Sequence, residues 1–98
     1  MFVAVSIFEV ANDMAEEVKQ AFVSRPHLVD KANGFLEMKV LSPQENLNEI
    51  WVTTFWDDES NYQNWYKNHM KESHQGIPKG LKLVPGSTKV RFFQQVTS

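Results

Sequence analysis

Ninety-eight residues make one small domain, 1–98, whose modest core leaves association as a route to further burial. Ten basic and 12 acidic side chains give a net charge of -2 with no basic block, which argues against nucleic acid as a partner. The absence of cysteine excludes disulfides, thiolate zinc sites, iron–sulfur clusters and cysteine nucleophiles, and fits a cytoplasmic location.

The chain starts with a run, Phe2 to Val10, rich in β-branched and aromatic residues. It lacks the positive region and long apolar core of a signal peptide and reads as a strand. Phe2, Ala4, Ser6 and Phe8 share one face, and Val3, Val5 and Ile7 the other. Both faces are apolar, so both should be covered. Asn12 or Asp13 can cap the helix that follows, in which Met14, Val18, Ala21 and Phe22 recur at helical spacing. Pro26 interrupts that helix and biases Arg25 away from helical geometry. Asn33-Gly34 is a stop signal, after which Phe35 to Leu41 reads as a strand. Alternation puts Leu36, Met38 and Val40 on one side of it, and Phe35, Glu37, Lys39 and Leu41 on the other. A polar turn, Ser42 to Asn48, leads to a third strand, Ile50 to Trp56, in a hairpin relation to the second. Asp57 or Asp58 caps a second helix, whose positive end suits the acidic residues there. A loop from Ile77 to Ser87 leads to a last strand, Thr88 to Val96. No apolar run approaches the roughly 20 residues of a membrane span.

The order β-α-β-β-α-β predicts the ferredoxin-like split motif, an α+β fold with a four-stranded antiparallel sheet and two helices on one face. Two helices cannot cover both faces of that sheet. The second face (Val3, Val5 and Ile7, with Trp51 and Phe55) is expected to pack against another copy as a symmetric dimer.

Chemistry concentrates late in the second helix, where Trp65, His69 and His74 bring an indole and two imidazoles. Trp65 and His74 are nine residues apart, or about 900° of helix, which puts them on opposite faces. They share a pocket only if the helix breaks or bends between them, and Asn68-His69 is a place where it could, because asparagine is a weak helix former and tolerates turn geometry. Without a break, His74 is a surface histidine and Trp65 a core residue. His69 and His27 read as solvated bystanders. Three histidines lack the tight spacing of a metal signature. A single imidazole suffices for haem iron, whose porphyrin supplies the other ligands. The helix-facing residues Phe2, Phe8, Leu36 and Met38, with Phe22, offer an apolar slot, and equally a plain core. There is no glycine-rich phosphate loop and no Gly-x-Ser-x-Gly elbow. The aromatics of the last strand, Phe92 and Phe93, lack the glycine–aromatic signature of an RNA-binding sheet.

Several features together carry a resemblance: Asn33-Gly34-Phe35 before the second strand, Thr54-Phe55-Trp56 closing the third, Asp57 to Asn64 leading to Trp65, and Met70-Lys71-Glu72-Ser73-His74. Along nearly all its length the chain resembles the antibiotic-biosynthesis-monooxygenase superfamily of dimeric α+β barrels, and most narrowly the IsdG-type haem-degrading monooxygenases. That group places a tryptophan nine residues before the histidine of an F-K-x-x-H-like segment; here Met70 takes the aromatic place. The resemblance implies His74 as the axial ligand of haem iron and Trp65 as the bulk that ruffles the porphyrin. Haem would then be both cofactor and substrate, with O2 and an external reductant as the other reactants and iron as a product. The group's first-strand asparagine is Ser6 here, a shorter side chain that leaves haem binding possible while slowing turnover. Phe22 and Arg25 match a haem-contacting stretch, Arg25 towards a propionate. Two other functions remain open at this point. One is a haem-binding protein with little turnover; the other is a cofactor-free monooxygenase of a phenolic or quinone-like metabolite.

Overall fold

In the computed structural model, the described backbone comprises residues 1–24, 28–73 and 78–97, with the side chains of these residues other than 28 and 69–73. Strand β1 spans Phe2–Glu9, helix α1 Ala15–Val23, and a 3-10 turn Leu28–Lys31. Strands β2 (Phe35–Leu41) and β3 (Glu49–Trp56) follow, then helix α2 (Glu59–Ser73) and strand β4 (Lys89–Gln94). The sheet order is β2-β3-β1-β4, with every neighbouring pair antiparallel. Both helices lie on one face, so the fold is the ferredoxin-like α+β arrangement. Among the described residues no helix is long and apolar enough to cross a membrane.

Register explains the two faces. Phe2 pairs with Trp56, Ala4 with Thr54, Ser6 with Val52 and Phe8 with Ile50, and all of these point to the helices. Their burial forms two clusters. The first joins Ala4, Val29, Trp56 and Tyr62, with Phe2, Phe35, Met38 and Trp65 packed around them. The second joins Val10, Ala15, Val18 and Ile50, with Phe8, Phe22, Val40 and Val52 among its surroundings. Trp56 and Ile50 are fully enclosed. Burial of one such side chain contributes roughly 1.5–3 kcal/mol, so these two anchor their clusters. The indole N–H of Trp56 donates to Thr54 Oγ1 (2.9 Å), whose hydroxyl in turn donates to the Ala4 carbonyl (3.4 Å). A buried polar group is satisfied at each step.

The opposite face carries Val3, Val5 and Ile7, flanked by Phe55, Thr53 and Trp51 on β3 and by Phe93, Arg91 and Lys89 on β4. Neighbouring strands shield Val3 and Val5 without help from a helix: Arg91 lies 5.0 Å over the Phe93 ring and Lys39 5.9 Å over Phe55. Leu41 and Phe93 stay exposed there.

Three local expectations are corrected, and α2 shows no break at the place where one could fall. A bulge between Phe35 and Glu37 inserts Leu36 as an extra residue. Phe35 therefore turns to the helix side, where it meets Trp56 edge-on at 5.5 Å, and Leu36 is exposed. Neither Asn12 nor Asp13 caps α1, whose cap position is Met14. The Asn12 side chain instead clamps a distant loop, its amide donating to the Gly80 carbonyl (2.7 Å) and its oxygen accepting from the Lys82 N–H (3.3 Å). The last strand is shorter than read, Lys89–Gln94, while Val10 bridges to Leu83 before it. Helix α2 does not break at Asn68-His69 but runs unbroken to Ser73. The Asn68 amide bonds back to the Asn64 carbonyl (2.9 Å) and to Asn64 Oδ1 (3.0 Å), which spans that turn instead of opening it.

The start of α2 is fixed by its cap. Asp58 Oδ1 accepts the Asn61 backbone N–H (3.0 Å) and the Ser60 hydroxyl (2.8 Å). These bonds hold the Asp58 carboxyl below its ordinary value, the Asn61 N–H contributing most. Gly34 locks β2 to the same helix end. Its carbonyl accepts the Asp57 N–H (2.9 Å), its φ is +77°, and a Cβ on it would collide with Asp57 Oδ1 and the Asn61 amide.

Candidate active site

Trp65 is half-buried on the sheet-facing side of α2, one turn beyond Tyr62. Its ring centroid stands 5.7 Å from that of Trp56 and 6.3 Å from that of Tyr62. The floor beneath it is therefore aromatic and rigid: Trp56 is held by Phe35 on one side, Tyr62 on another, and by its bond to Thr54. Tyr62 is buried against Phe2 and Phe92. Burial, with a smaller effect from the neighbouring Tyr66, pushes its phenol up to about 12, so it stays neutral at any ordinary pH.

Phe22 is half-buried near the end of α1, in the second cluster. Ser6 is half-buried on β1 between Val52 and Val90. The two clusters share no residue. The Trp56 row under Trp65 and the Val52 row that holds Ser6 are four strand positions apart, about 13 Å at the usual rise. Trp65, Ser6 and Phe22 thus mark one side, the floor and the other side of an interval between α2 and α1. Apolar groups dominate it, with a single hydroxyl contributed by β1.

The other two predicted site residues, Arg25 and His74, lie outside the described residues, as does His27; the His69 side chain does too. Of the predicted set, Ser6, Phe22 and Trp65 are therefore placed on the same face of the sheet. Among the described residues no group of three or more His, Cys, Asp or Glu side chains could hold a metal ion. A solvent-open depression along α2, lined by Glu59, Ser60, Asn61, Gln63, Asn64 and Lys67, lies on the helix's polar side and shares no residue with this interval. Tyr62 and Tyr66, which flank Trp65 on α2, were not among the residues that the sequence singled out. Their spacing could have placed them: three before and one after Trp65, and four from each other.

Strand order and one-sided helices define a class, the α+β ferredoxin-like domains that leave one sheet face without a helix. Within that class, residues 1–76 match the family described as antibiotic biosynthesis monooxygenase, and the chain belongs to that family. Two curated relatives, mycobilin-producing heme oxygenases from two strains of Mycobacterium tuberculosis (CDC 1551 / Oshkosh and ATCC 25618 / H37Rv), are each 27% identical over 74 residues. Those 74 residues cover 76% of this chain and 70% of either relative. Among solved structures, the fold is similar to that of the heme-degrader MhuD from Mycobacterium tuberculosis with two hemes bound in its active site (TM-score 0.82, 22% identity, 100% of this chain and 98% of that one). A substituted MhuD with two manganese protoporphyrin IX molecules per active site gives a TM-score of 0.83 at 21% identity, over 100% and 97% of the two chains. At these identities the structural likeness concerns the fold.

Proposed function

We propose that this chain is an oxidoreductase that binds haem as its substrate and degrades it with O2 and electrons from an external reductant, releasing iron. The observation that carries this reading is Trp65: an indole half-buried at the border of an aromatic cluster, facing the sheet, and nine residues before His74. Trp56 beneath it is fully enclosed, whereas Trp65 is only half-buried. The curated relatives, which are heme oxygenases, support the same reading.

In this reading His74 holds the iron and Arg25 pairs with a propionate. Phe22 packs on the macrocycle from the α1 side, and Trp65 presses on it from the α2 side. The chemistry of these residues supports the reading: apolar side chains predominate, with Trp65 in one cluster and Phe22 in the other, and Ser6 adds a hydroxyl on β1 between them. Haem brings the iron at which O2 is reduced and the ring carbons that are oxidised. The chain's own side chains orient the ring, exclude water and distort the plane. The uncovered sheet face, with Trp51, Phe55, Phe93 and Leu41, is where a second copy packs in this reading, giving a homodimer.

Titration of the pure protein with haem should give a saturable Soret band that is lost in His74→Ala. Addition of a reductant in air should then bleach the band. No saturable band, or one indifferent to His74→Ala, would overturn the assignment. A second reading is favoured by one observation, the serine at position 6: a haem-binding protein with little turnover. A stable Soret band after reduction in air supports that second reading over degradation.

A further inference from the structure

Indole and phenol rings are the side chains most readily oxidised by one electron in a chain that has no cysteine. This chain has three tryptophans and two tyrosines, and four of those five rings sit together. Starting from Trp65, ring centroids are 6.3 Å to Tyr62 and then 5.9 Å from Tyr62 to Tyr66. A second branch runs through Trp56, 5.7 Å from Trp65 and 5.7 Å from Tyr62. Exposure rises sharply at one end: Tyr62 is 4% exposed and Tyr66 44%. The rings next to Tyr62 on its sheet side, Phe2 and Phe92, are hard to oxidise and insulate the path there. Helix geometry produces this line, because Tyr62 and Tyr66 are four residues apart and Trp65 is three beyond Tyr62.

We propose that Trp65, Tyr62 and Tyr66 form a one-electron relay that carries an oxidising equivalent from the haem-side interval to solvent. Its biological use rests on the haem-degrading reading, in which partly reduced O2 supplies a one-electron oxidant next to Trp65. The relay itself does not need haem. Once Trp65 has lost an electron and its indole proton, one electron passes from Tyr66 to it by way of the Tyr62 ring. Tyr66 gives its hydroxyl proton to water, and Trp65 takes a proton back from water, so charge balances. A small thiol or enediol reductant in solution then returns one electron and one proton to the Tyr66 phenoxyl. Tyr66 is the terminus because water reaches it. The buried phenol of Tyr62 holds its proton tightly and serves as a bridge between the two. The relay would spare Trp65 and the adjoining side chains from irreversible oxidation during turnover.

The test uses haem-free protein, so that its outcome is independent of haem binding. Pulse-radiolytic azidyl radical oxidises accessible indoles; Trp51→Phe removes the one tryptophan outside the cluster, and Trp56 is fully enclosed. The expected result is an indolyl radical that converts to phenoxyl with a rate independent of protein concentration. Tyr66→Phe, an exposed position where folding is not at stake, should abolish most of the phenoxyl and lengthen the life of the indolyl. Tyr62→Phe should slow the conversion while leaving Tyr66 as its end product. Conversion at an unchanged rate in Tyr62→Phe, or a rate proportional to protein concentration, would overturn the relay. Because the chain has only these two tyrosines, each phenoxyl signal has a unique assignment by difference.

Discussion

Substitution of Gly34 by alanine tests the junction that ties β2 to the start of α2. Gly34 has a φ of +77°, where any residue with a Cβ costs about 1–2 kcal/mol. The new Cβ would also overlap Asp57 Oδ1 and the Asn61 side-chain amide. Both side chains can turn away, but only by breaking the 2.7 Å bond from the Asn61 amide to Asp57, worth about 0.5–1.5 kcal/mol. If the backbone moves instead, the 2.9 Å bond from the Asp57 N–H to the Gly34 carbonyl is lost at a similar cost, about 1 kcal/mol. The expected loss is therefore about 1.5–3.5 kcal/mol, a melting temperature lower by roughly 6–28 °C in a domain of this size. Gly86→Ala is the internal control. Its φ is +76° but nothing lies within 4 Å of where a Cβ would stand, so only the backbone cost of about 1–2 kcal/mol applies. Urea unfolding of both variants measures the difference directly, provided the denaturant slopes match. Equal losses at the two glycines would refute the claim that close approach to α2, and not φ alone, demands glycine at position 34.

Three further outcomes follow from the same structure. Asp58→Asn keeps a cap acceptor but not the charge. Because the folded state holds Asp58 below its ordinary value of 3.8, its contribution is complete above that value and is lost as pH falls through the lower, folded one. The melting temperatures of wild type and Asp58→Asn should therefore converge as pH is taken below 3.8, and a constant gap through the acid range speaks against the cap. Trp56→Ala should cost about 3–5 kcal/mol by urea unfolding, since it empties a fully enclosed site and leaves Thr54 without its indole partner. A loss under about 1 kcal/mol would mean that the cluster collapses around the gap, which a site bounded by the rings of Phe35, Tyr62 and Trp65 should resist. Ser6→Asn should raise the rate of haem loss in the presence of reductant and O2; an unchanged or lower rate removes the short side chain at position 6 as the limit on turnover.

Much of the fold follows from strict alternation. Phe2, Ala4, Ser6 and Phe8 fall on the helix side as their period requires, and Trp51 and Phe55 on the other. Alternation failed at Phe35-Leu36, where two apolar residues adjoin and either can be the inward one. A bulge decides it, and what favours Phe35 is the Trp56 ring it meets edge-on, a partner 21 residues away that local pattern does not contain. Asn12 is a similar case. Its position before a helix suits a cap, yet its partners are Gly80 and Lys82, and a side chain that satisfies two backbone groups of a distant loop is not free to fold back on its own helix.

The candidate site was legible as residue types and only partly as geometry. Trp65 stands where its spacing with Tyr62 puts it, over the β1–β3 floor. The relation of Trp65 to His74 is the part that needed three dimensions. Propensity made Asn68 the place where a break could fall, but there the side chain bonds to Asn64 across one turn, which compensates for its low intrinsic preference. With α2 continuous to Ser73, each residue turns by about 100°, so Ser73 comes round to about 80° from Trp65 and a further helical step would carry position 74 to the opposite side. Cooperation between the indole and the imidazole therefore requires the chain to leave the helical path immediately after Ser73. The requirement makes a specific demand on the haem reading: Gly76→Ala, which favours continued helix beyond Ser73, should weaken the Soret band, while Gln75→Gly should leave it intact.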